Sequence, residues 1–178
     1  MTYWVASNTV FSFEVFAYPA QFMLVYRLLQ ADFCYEPLSG QGTALYGGRW
    51  NPKGISVLYT TESPALSLLE ILVHLNPKRI PQYYLATIDV PDAIRVIQQQ
   101  ELPANWRATG SGPLPSQVFL LEWLKNPDCL IVQVPSTVIP IMANYLINPR
   151  HPLFASCNVL SVDVLEIDAR LYDFASRS

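Results

Sequence analysis

The stretch Ile55-Ser-Val-Leu-Tyr-Thr-Thr-Glu-Ser-Pro-Ala-Leu-Ser-Leu-Leu-Glu-Ile-Leu-Val-His-Leu75 holds the clearest structural signals in the chain. Its first part, Ile55–Thr60, is a short apolar run typical of a buried strand. Ser63 followed by Pro64 is a common helix start, in which the serine side chain caps the helix and the proline occupies the first turn. The helix is expected to run to the end of this stretch, because Pro77 stops it.

Short elements alternate irregularly on both sides of this stretch. The residue patterns predict further strands over Leu24–Leu29, Tyr83–Val90, Cys129–Val134 and Val159–Ile167, and a second helix over Val118–Lys125. Residues 31–54 and 102–115 are interpreted as loops, and Asn144–Pro152 as a structural turn. Strands outnumber helices without regular alternation, which predicts an α+β domain with a central mixed or antiparallel sheet and flanking helices.

Composition excludes several classes of protein. The chain has 178 residues, of which 51% are hydrophobic and 14% charged, enough for one compact domain and unlike a disordered tail. Eleven Lys and Arg stand against fourteen Asp and Glu, giving a net charge of −3. This balance argues against direct binding of nucleic acid by phosphate neutralisation.

Cysteine and histidine usage indicates neither a disulfide scaffold nor a metal site. Two histidines and three cysteines without a CxxC pair leave little material for a zinc site, so no metal is expected. The odd cysteine count favours a reducing cytosol, and hence a cytoplasmic protein. No stretch approaches the roughly 20 apolar residues needed to cross a bilayer, so no membrane contact is expected.

The first residues are interpreted as an extension. Residues 1–26 carry one charge, Glu14, and no basic residue precedes the apolar run as a secretory signal would require. We therefore expect an N-terminal extension of uncertain structure over 1–22 and a domain over 23–175, with translation starting at Met1 or Met23. The alternative is that the extension supplies an extra strand.

Glu70 is the most informative single residue. It is the only ionisable group between Pro64 and Val73, in a helix apolar nearly all round. Because an unpaired buried carboxylate is costly, Glu70 lies either on a narrow solvent-facing strip or in a polar cavity that offers a cation or hydroxyls. His74, one turn later on the same face, is a candidate partner.

Arg27 presents the same alternatives on a strand. It interrupts the apolar residues of its strand, so it lies on an exposed face or points inward to hold an anion through two hydrogen bonds. A buried salt bridge to Glu70 or to Asp89 is the structural alternative.

The segment Tyr46-Gly-Gly-Arg49-Trp50-Asn51-Pro-Lys-Gly54 combines glycines, an arginine and an aromatic ring. Backbone amides freed by glycine, together with a guanidinium, can cradle a phosphate beside a stacking ring. The spacing matches neither a Walker loop nor a dinucleotide-binding GxGxxG fingerprint. A plain glycine-rich turn remains the structural alternative.

Taken together, these segments resemble the RES domain family over nearly the whole chain, from about Met23 to Leu171. The family takes its name from an arginine, a glutamate and a serine, which match Arg27, Glu70 and Ser136. The matching segments are Tyr26-Arg27-Leu28, Tyr46 to Gly54, Val57 to Ser63, Ala65-xxxx-Glu70-xxx-His74, Val134-Pro135-Ser136, Asn144 to Pro152 and Asp168 to Leu171.

The resemblance implies the toxin of a bacterial type II toxin–antitoxin pair, with an Xre-like helix-turn-helix antitoxin as partner. It also implies a fold similar to ADP-ribosyltransferases of the diphtheria-toxin kind. The implied activity is depletion of NAD⁺, a substrate rather than a permanently bound cofactor, by hydrolysis or phosphorolysis of its nicotinamide–ribose bond. Transfer of ADP-ribose to a protein, and nucleotide binding without catalysis, are the alternatives. Oligomeric state stays open between a homo-oligomer and a larger toxin–antitoxin complex.

The resemblance also suggests roles for individual residues. Glu70 would stabilise positive charge on the ribose, and Ser136 would form a hydrogen bond near the ribose or phosphate. With them, Arg27 would be the third catalytic residue, acting at the pyrophosphate together with Arg49. The substrate-binding residues would be Arg49, Tyr46 and Tyr59 beside the nicotinamide, and Trp50 and Asn51 in the glycine-rich segment.

Overall fold

The structure, a computed structural model, describes residues 21–75, 81–110 and 112–171. The prediction of an N-terminal extension over 1–22 lies almost entirely outside these residues. The described strands form one seven-stranded sheet in the order β4-β5-β6-β2-β1-β3-β7. They are β1 (Phe22–Gln30), β2 (Leu58–Thr61), β3 (Tyr83–Pro91), β4 (Ile94–Val96), β5 (Ile131–Pro135), β6 (Ala143–Ile147) and β7 (Asn158–Leu165).

The sheet is mixed, because β4 and β5 pair in parallel whereas the other neighbours are antiparallel. Three α-helices accompany it: α1 (Gln41–Tyr46), α2 (Pro64–Leu72) and α3 (Pro115–Lys125). Helix α2 begins as its sequence predicts, since the Ser63 side chain accepts a hydrogen bond from the Leu66 amide at 3.2 Å and Pro64 follows. It packs against β1 and β2, which brings Glu70 over the middle of the sheet.

Two apolar clusters hold the sheet in place. One contains Val25, Ile88 and Ile147 from the central strands, and the other packs α3 and the stacked rings of Trp50 and Trp106 against β5 and β6. Every residue of β6 is buried. Strand β6 is thus an interior strand of the sheet, paired with β5 on one side and β2 on the other.

The α+β prediction with a central mixed sheet and flanking helices is confirmed, and the five predicted strands and two predicted helices are present with shifted ends. Two loop predictions are wrong. Residues 31–54 contain α1, and Asn144–Pro152 is not simply a turn because its first residues belong to β6. Strand β4 was not predicted. None of the helices in the described residues is long and apolar enough to cross a membrane.

Candidate active site

A cavity of about 1120 Å³ opens where β1, β2, β6 and α2 meet. Its volume is slightly above the usual range of about 300–1,000 Å³ for ligand sites in proteins. Residues of the glycine-rich segment and of the loop before α3 also line it. The polar side chains that line it are Arg27, Thr43, Arg49, Tyr59, Thr60, Thr61, Ser67, Glu70, His74, Arg107, Thr109, Thr137 and Asn144, together with Tyr26.

Glu70 is half-buried in this cavity and is oriented by two side chains. Its Oε1 accepts a hydrogen bond from Ser136 Oγ at 2.7 Å and another from Asn144 Nδ2 at 2.6 Å. Both donors lie more than 60 residues further along the chain. Ser136 directly follows β5, and Asn144 is in the neighbouring strand β6. His74, the partner suggested from helix spacing, instead lies exposed on the cavity rim.

Ser136 is fully buried behind Glu70. Its hydroxyl donates to the carboxylate and accepts hydrogen bonds from the amides of Val138 at 3.1 Å and Ile139 at 3.0 Å. The turn after β5 therefore fixes the serine, and the serine fixes the carboxylate. This geometry favours a positioning role for Ser136 over the ribose or phosphate contact that the resemblance suggests.

Arg27 lies beside the same cavity and donates from Nη1 to the carbonyl oxygens of Pro37 at 2.7 Å and Ser39 at 2.8 Å. Desolvation by burial lowers the pKa of its guanidinium to about 10. Within the described residues, neither Glu70 nor Asp89 forms an ion pair with it. In the part of the chain that the structure describes, no carboxylate forms an ion pair with Arg27, which lines the cavity.

The glycine-rich segment is built around Tyr59. The Tyr59 hydroxyl accepts from the Trp50 amide at 2.9 Å and donates to Asn51 Oδ1 at 2.8 Å. A Cβ at Gly48 would lie 2.5 Å from that hydroxyl, and Gly47 has a φ of 72°, so both positions favour glycine. Burial raises the pKa of Tyr59 well above its usual range.

The remaining predicted binding residues occupy different environments. Arg49 lines the cavity and donates weakly, at 3.4 Å, to the carbonyl oxygens of Trp106 and Ala108. Trp50 is only 2% exposed and stacks on Trp106 at 5.4 Å, and Asn51 is fully buried.

Asn51 Nδ2 donates to backbone carbonyls on both sides of the segment, which makes the residue a structural link. The exposed Tyr46 lines an adjoining cavity of about 830 Å³ that shares Arg27 and His74 with the first.

The structure thus brings Arg27, Glu70, Arg49 and Tyr59 to one cavity, with Ser136 directly behind Glu70. Sequence reasoning did not single out Asn144 as a site residue, although Asn144 begins one of the segments that resemble the RES domain family. It also missed Arg107, which lies in a segment interpreted as loop. Across the described residues, no cluster of three or more His, Cys, Asp or Glu could hold a metal ion.

Comparison with known proteins identifies the relatives of this chain. The model of the RES domain family matches residues 24–170. The protein named Toxin Res from Yersinia enterocolitica is 37% identical over 139 residues, covering 76% of this chain and 90% of that protein. The Prs ADP-ribosylating toxin of a Sphingobium species is 38% identical over 122 residues, covering 66% of this chain and 75% of that protein.

A solved structure shares the fold. A chain in the crystal structure of the Mycobacterium tuberculosis MbcT–MbcA toxin–antitoxin complex superposes with a TM-score of 0.64 and 20% identity, covering 89% of this chain and 91% of that one. These relatives carry the names of toxins, and the solved chain that shares the fold comes from a toxin–antitoxin complex. The chain belongs to the RES domain family.

Proposed function

We propose that the protein depletes NAD⁺ by cleaving the bond between nicotinamide and ribose, with water or phosphate as the acceptor. One observation carries the proposal: Glu70 and Arg27 line one cavity of dinucleotide size without pairing with each other. A carboxylate and a guanidinium that form no ion pair with any described residue suit a ligand with a cationic end and an anionic centre.

The carboxylate supplies the electrostatic part of the reaction. When the bond between C1′ of the ribose and N1 of nicotinamide breaks, its electron pair stays with the nitrogen and nicotinamide leaves neutral. Positive charge then develops on the ribose. Glu70, held by Ser136 and Asn144, stabilises that charge from a fixed position, without reorganisation during the reaction.

The cationic residues bind the other part of the substrate. Arg27, Arg49 and Arg107 all line the cavity, and a guanidinium binds phosphate oxygens in a planar, two-point geometry. We assign the pyrophosphate to Arg27 and Arg49. The Tyr59 ring, held by its hydroxyl hydrogen bonds, provides a flat wall for the nicotinamide.

The acceptor completes the reaction. An oxygen of water or phosphate bonds to C1′; attack by water also releases a proton and yields ADP-ribose, whereas attack by phosphate yields ADP-ribose 1-phosphate. Transfer to a protein is the second candidate, favoured by the Sphingobium relative named as an ADP-ribosylating toxin. Products formed from labelled NAD⁺ with and without phosphate distinguish the three acceptors.

We further propose that an antitoxin of the Xre-like helix-turn-helix type binds this protein and restrains it. The support is the fold shared with a chain from a toxin–antitoxin complex and the toxin names of the relatives. Co-expression with the product of an adjacent small reading frame, followed by co-purification, tests this pairing. A toxin that is neither bound nor restrained by such a product contradicts it.

The main test measures NAD⁺ over time with purified protein. Glu70→Gln and Arg27→Ala should each abolish depletion, because each removes one of the two unpaired charges. Glu62→Gln and Arg95→Ala are matched controls, since Glu62 is exposed and Arg95 pairs with Asp128 away from the cavity. Undiminished turnover in both site variants contradicts the mechanism, and stable binding of intact NAD⁺ favours a non-catalytic module.

A further inference from the structure

A second cavity of about 830 Å³ adjoins the first and has no role in the reaction proposed so far. Its volume lies within the usual range for ligand sites in proteins. It is lined by residues of β1, of α1 and of the end of α2. The residues that line both cavities are Arg27, Leu28, Thr43, Ile71 and His74. Arg27 therefore lies at the boundary between the two cavities.

The guanidinium of Arg27 has donors left for a ligand at this boundary. Its Nη1 donates to the carbonyl oxygens of Pro37 and Ser39, at 2.7 Å and 2.8 Å. Its Nε and Nη2 donate to no other group in the part of the chain that the structure describes. A guanidinium carries five N–H donors, so the two loop carbonyls fix its position without using all of them.

The two cavities differ in charge and in the kind of base that they suit. Glu70 and Tyr59 line only the first cavity. The second cavity is lined mainly by apolar and aromatic residues, and Phe33, Tyr46 and Tyr83 supply its rings. A positively charged base such as nicotinamide suits the cavity that contains the carboxylate. A neutral aromatic base suits the second cavity.

Two aromatic side chains flank Gly42 in the second cavity. Gly42 and Tyr46 are four residues apart in α1, so they lie on the same face of that helix. A Cβ at Gly42 would lie 3.8 Å from the nearest carbon of the Phe33 ring. Glycine therefore leaves the wall between Phe33 and Tyr46 free of a side chain. Tyr46 is 73% exposed, so a ligand can reach its ring.

We propose that the second cavity binds the adenine base of the dinucleotide, with Tyr46 stacking on it, and that the pyrophosphate crosses between the cavities at Arg27. The inference rests on the proposed function, which places the nicotinamide ribose beside Glu70 and the pyrophosphate at Arg27. A dinucleotide has one base on each side of its pyrophosphate, and Tyr59 and Tyr46 supply one ring on each side of Arg27. This assignment replaces the nicotinamide contact that the resemblance suggests for Tyr46.

Binding of each half of the dinucleotide to the full chain tests this assignment. AMP carries the adenosine half. Carbocyclic nicotinamide mononucleotide, in which a methylene replaces the ring oxygen of the ribose, carries the other half and is not cleaved. Because stacking on an aromatic ring contributes substantially to the binding of a base, Tyr46→Ala should weaken AMP binding about fivefold or more. Calorimetry should show the nicotinamide compound binding to this variant within about twofold of the wild type.

Further variants assign the effect to the second cavity. Tyr46→Trp keeps a ring and should bind AMP within about twofold of the wild type. Gly42→Leu adds a side chain between the two rings and should weaken AMP binding as Tyr46→Ala does. Leu45→Ala is the control, since Leu45 is an exposed neighbour in α1 that lines neither cavity. It should bind both compounds as the wild type does.

Equal weakening of both compounds by Tyr46→Ala overturns the assignment, because the ring then serves the nicotinamide half. AMP binding that is absent from the wild type, or unchanged in both Tyr46→Ala and Gly42→Leu, overturns it as well. These results leave the proposed function standing, since NAD⁺ depletion by the wild type is measured separately. A wild type that neither consumes NAD⁺ nor binds the nicotinamide compound overturns both.

Discussion

Ser136 Oγ lies 2.7 Å from Glu70 Oε1 and joins the end of β5 to α2 across 66 residues of chain. The same hydroxyl accepts two backbone amides, so its hydrogen is directed at the carboxylate. The serine orients the acid without itself being exposed to the cavity. Its removal should therefore affect the rate of the reaction more than the binding of the substrate.

The variant Ser136→Ala should lower kcat for NAD⁺ loss by about ten- to a hundredfold with KM nearly unchanged, because a hydrogen bond to a charged group is removed. Ser136→Thr, which keeps the hydroxyl, should recover part of the rate. Steady-state kinetics on both variants test this expectation. A rise in KM at constant kcat would assign Ser136 to substrate binding instead.

Replacing Arg27 by lysine should make anion binding depend on pH. Burial lowers the pKa of the guanidinium to about 10, so the wild type keeps its charge from pH 6 to 9. A lysine starts from a pKa of about 10.4, and the same burial lowers it further, so its positive charge is lost as pH rises through this range. ADP-ribose affinity, measured by calorimetry, should fall with pH in Arg27→Lys and stay level in the wild type. A level profile in both proteins contradicts the proposed anion site.

Removing the Tyr59 hydroxyl should destabilise the fold. Tyr59→Phe leaves the Trp50 amide and Asn51 Oδ1 without their partner, which costs about 1–3 kcal/mol of unfolding free energy. Tyr46→Phe, at an exposed position, should change stability by less than about 0.5 kcal/mol. Urea denaturation of the two variants gives the comparison, and equal stabilities would contradict the structural role of this hydroxyl.

The Tyr59→Phe variant and the wild type should also differ in the pH dependence of their stability. Because burial raises the pKa of Tyr59, the folded protein retains its phenolic proton when the unfolded chain loses it above about pH 10. The contribution of this residue is present below that pH and decreases as pH rises. The Tyr59→Phe variant should therefore lose stability less steeply than the wild type above pH 10, and parallel profiles would contradict this.

A methyl group at Gly48 should disturb the cavity wall. The added Cβ would lie 2.5 Å from the Tyr59 hydroxyl and 2.9 Å from Asn51 Oδ1, and such overpacking costs about 1–3 kcal/mol. Gly42→Ala is the control, since its Cβ would meet nothing closer than 3.8 Å and α1 favours alanine. Thermal unfolding should show a lower Tm for Gly48→Ala than for Gly42→Ala, and equal values would contradict the close packing.

Local sequence patterns predicted those parts of the structure that are determined by residues adjacent in the chain. Ser63 and Pro64 specify the start of α2 through their own backbone and side-chain chemistry, and the structure has that cap. Glu70 was conspicuous because it is the one charge in an apolar helix. The burial argument left a narrow solvent-facing strip and a polar cavity as alternatives, and Glu70 lines a cavity in the structure.

Other parts depend on distant contacts that no local pattern contains. The segment from Asn144 to Pro152 resembles a turn because of its asparagines and prolines, yet β6 forms because β2 and β5 pair with it on both sides. Trp50 resembles a free stacking ring, but its partner Trp106 is 56 residues away and makes it part of the core. The hydrogen-bond donors to Glu70 are also distant in sequence, so no local pattern predicted them. Helix spacing indicated His74 instead.

The long sequence separation of the Glu70 contacts has a consequence for biosynthesis. The ribosome adds Glu70 well before Ser136 and Asn144. For much of its synthesis the chain therefore contains Glu70 without the two side chains that donate hydrogen bonds to its carboxylate. The carboxylate is therefore held in place only once β6 has been added and has docked on the sheet.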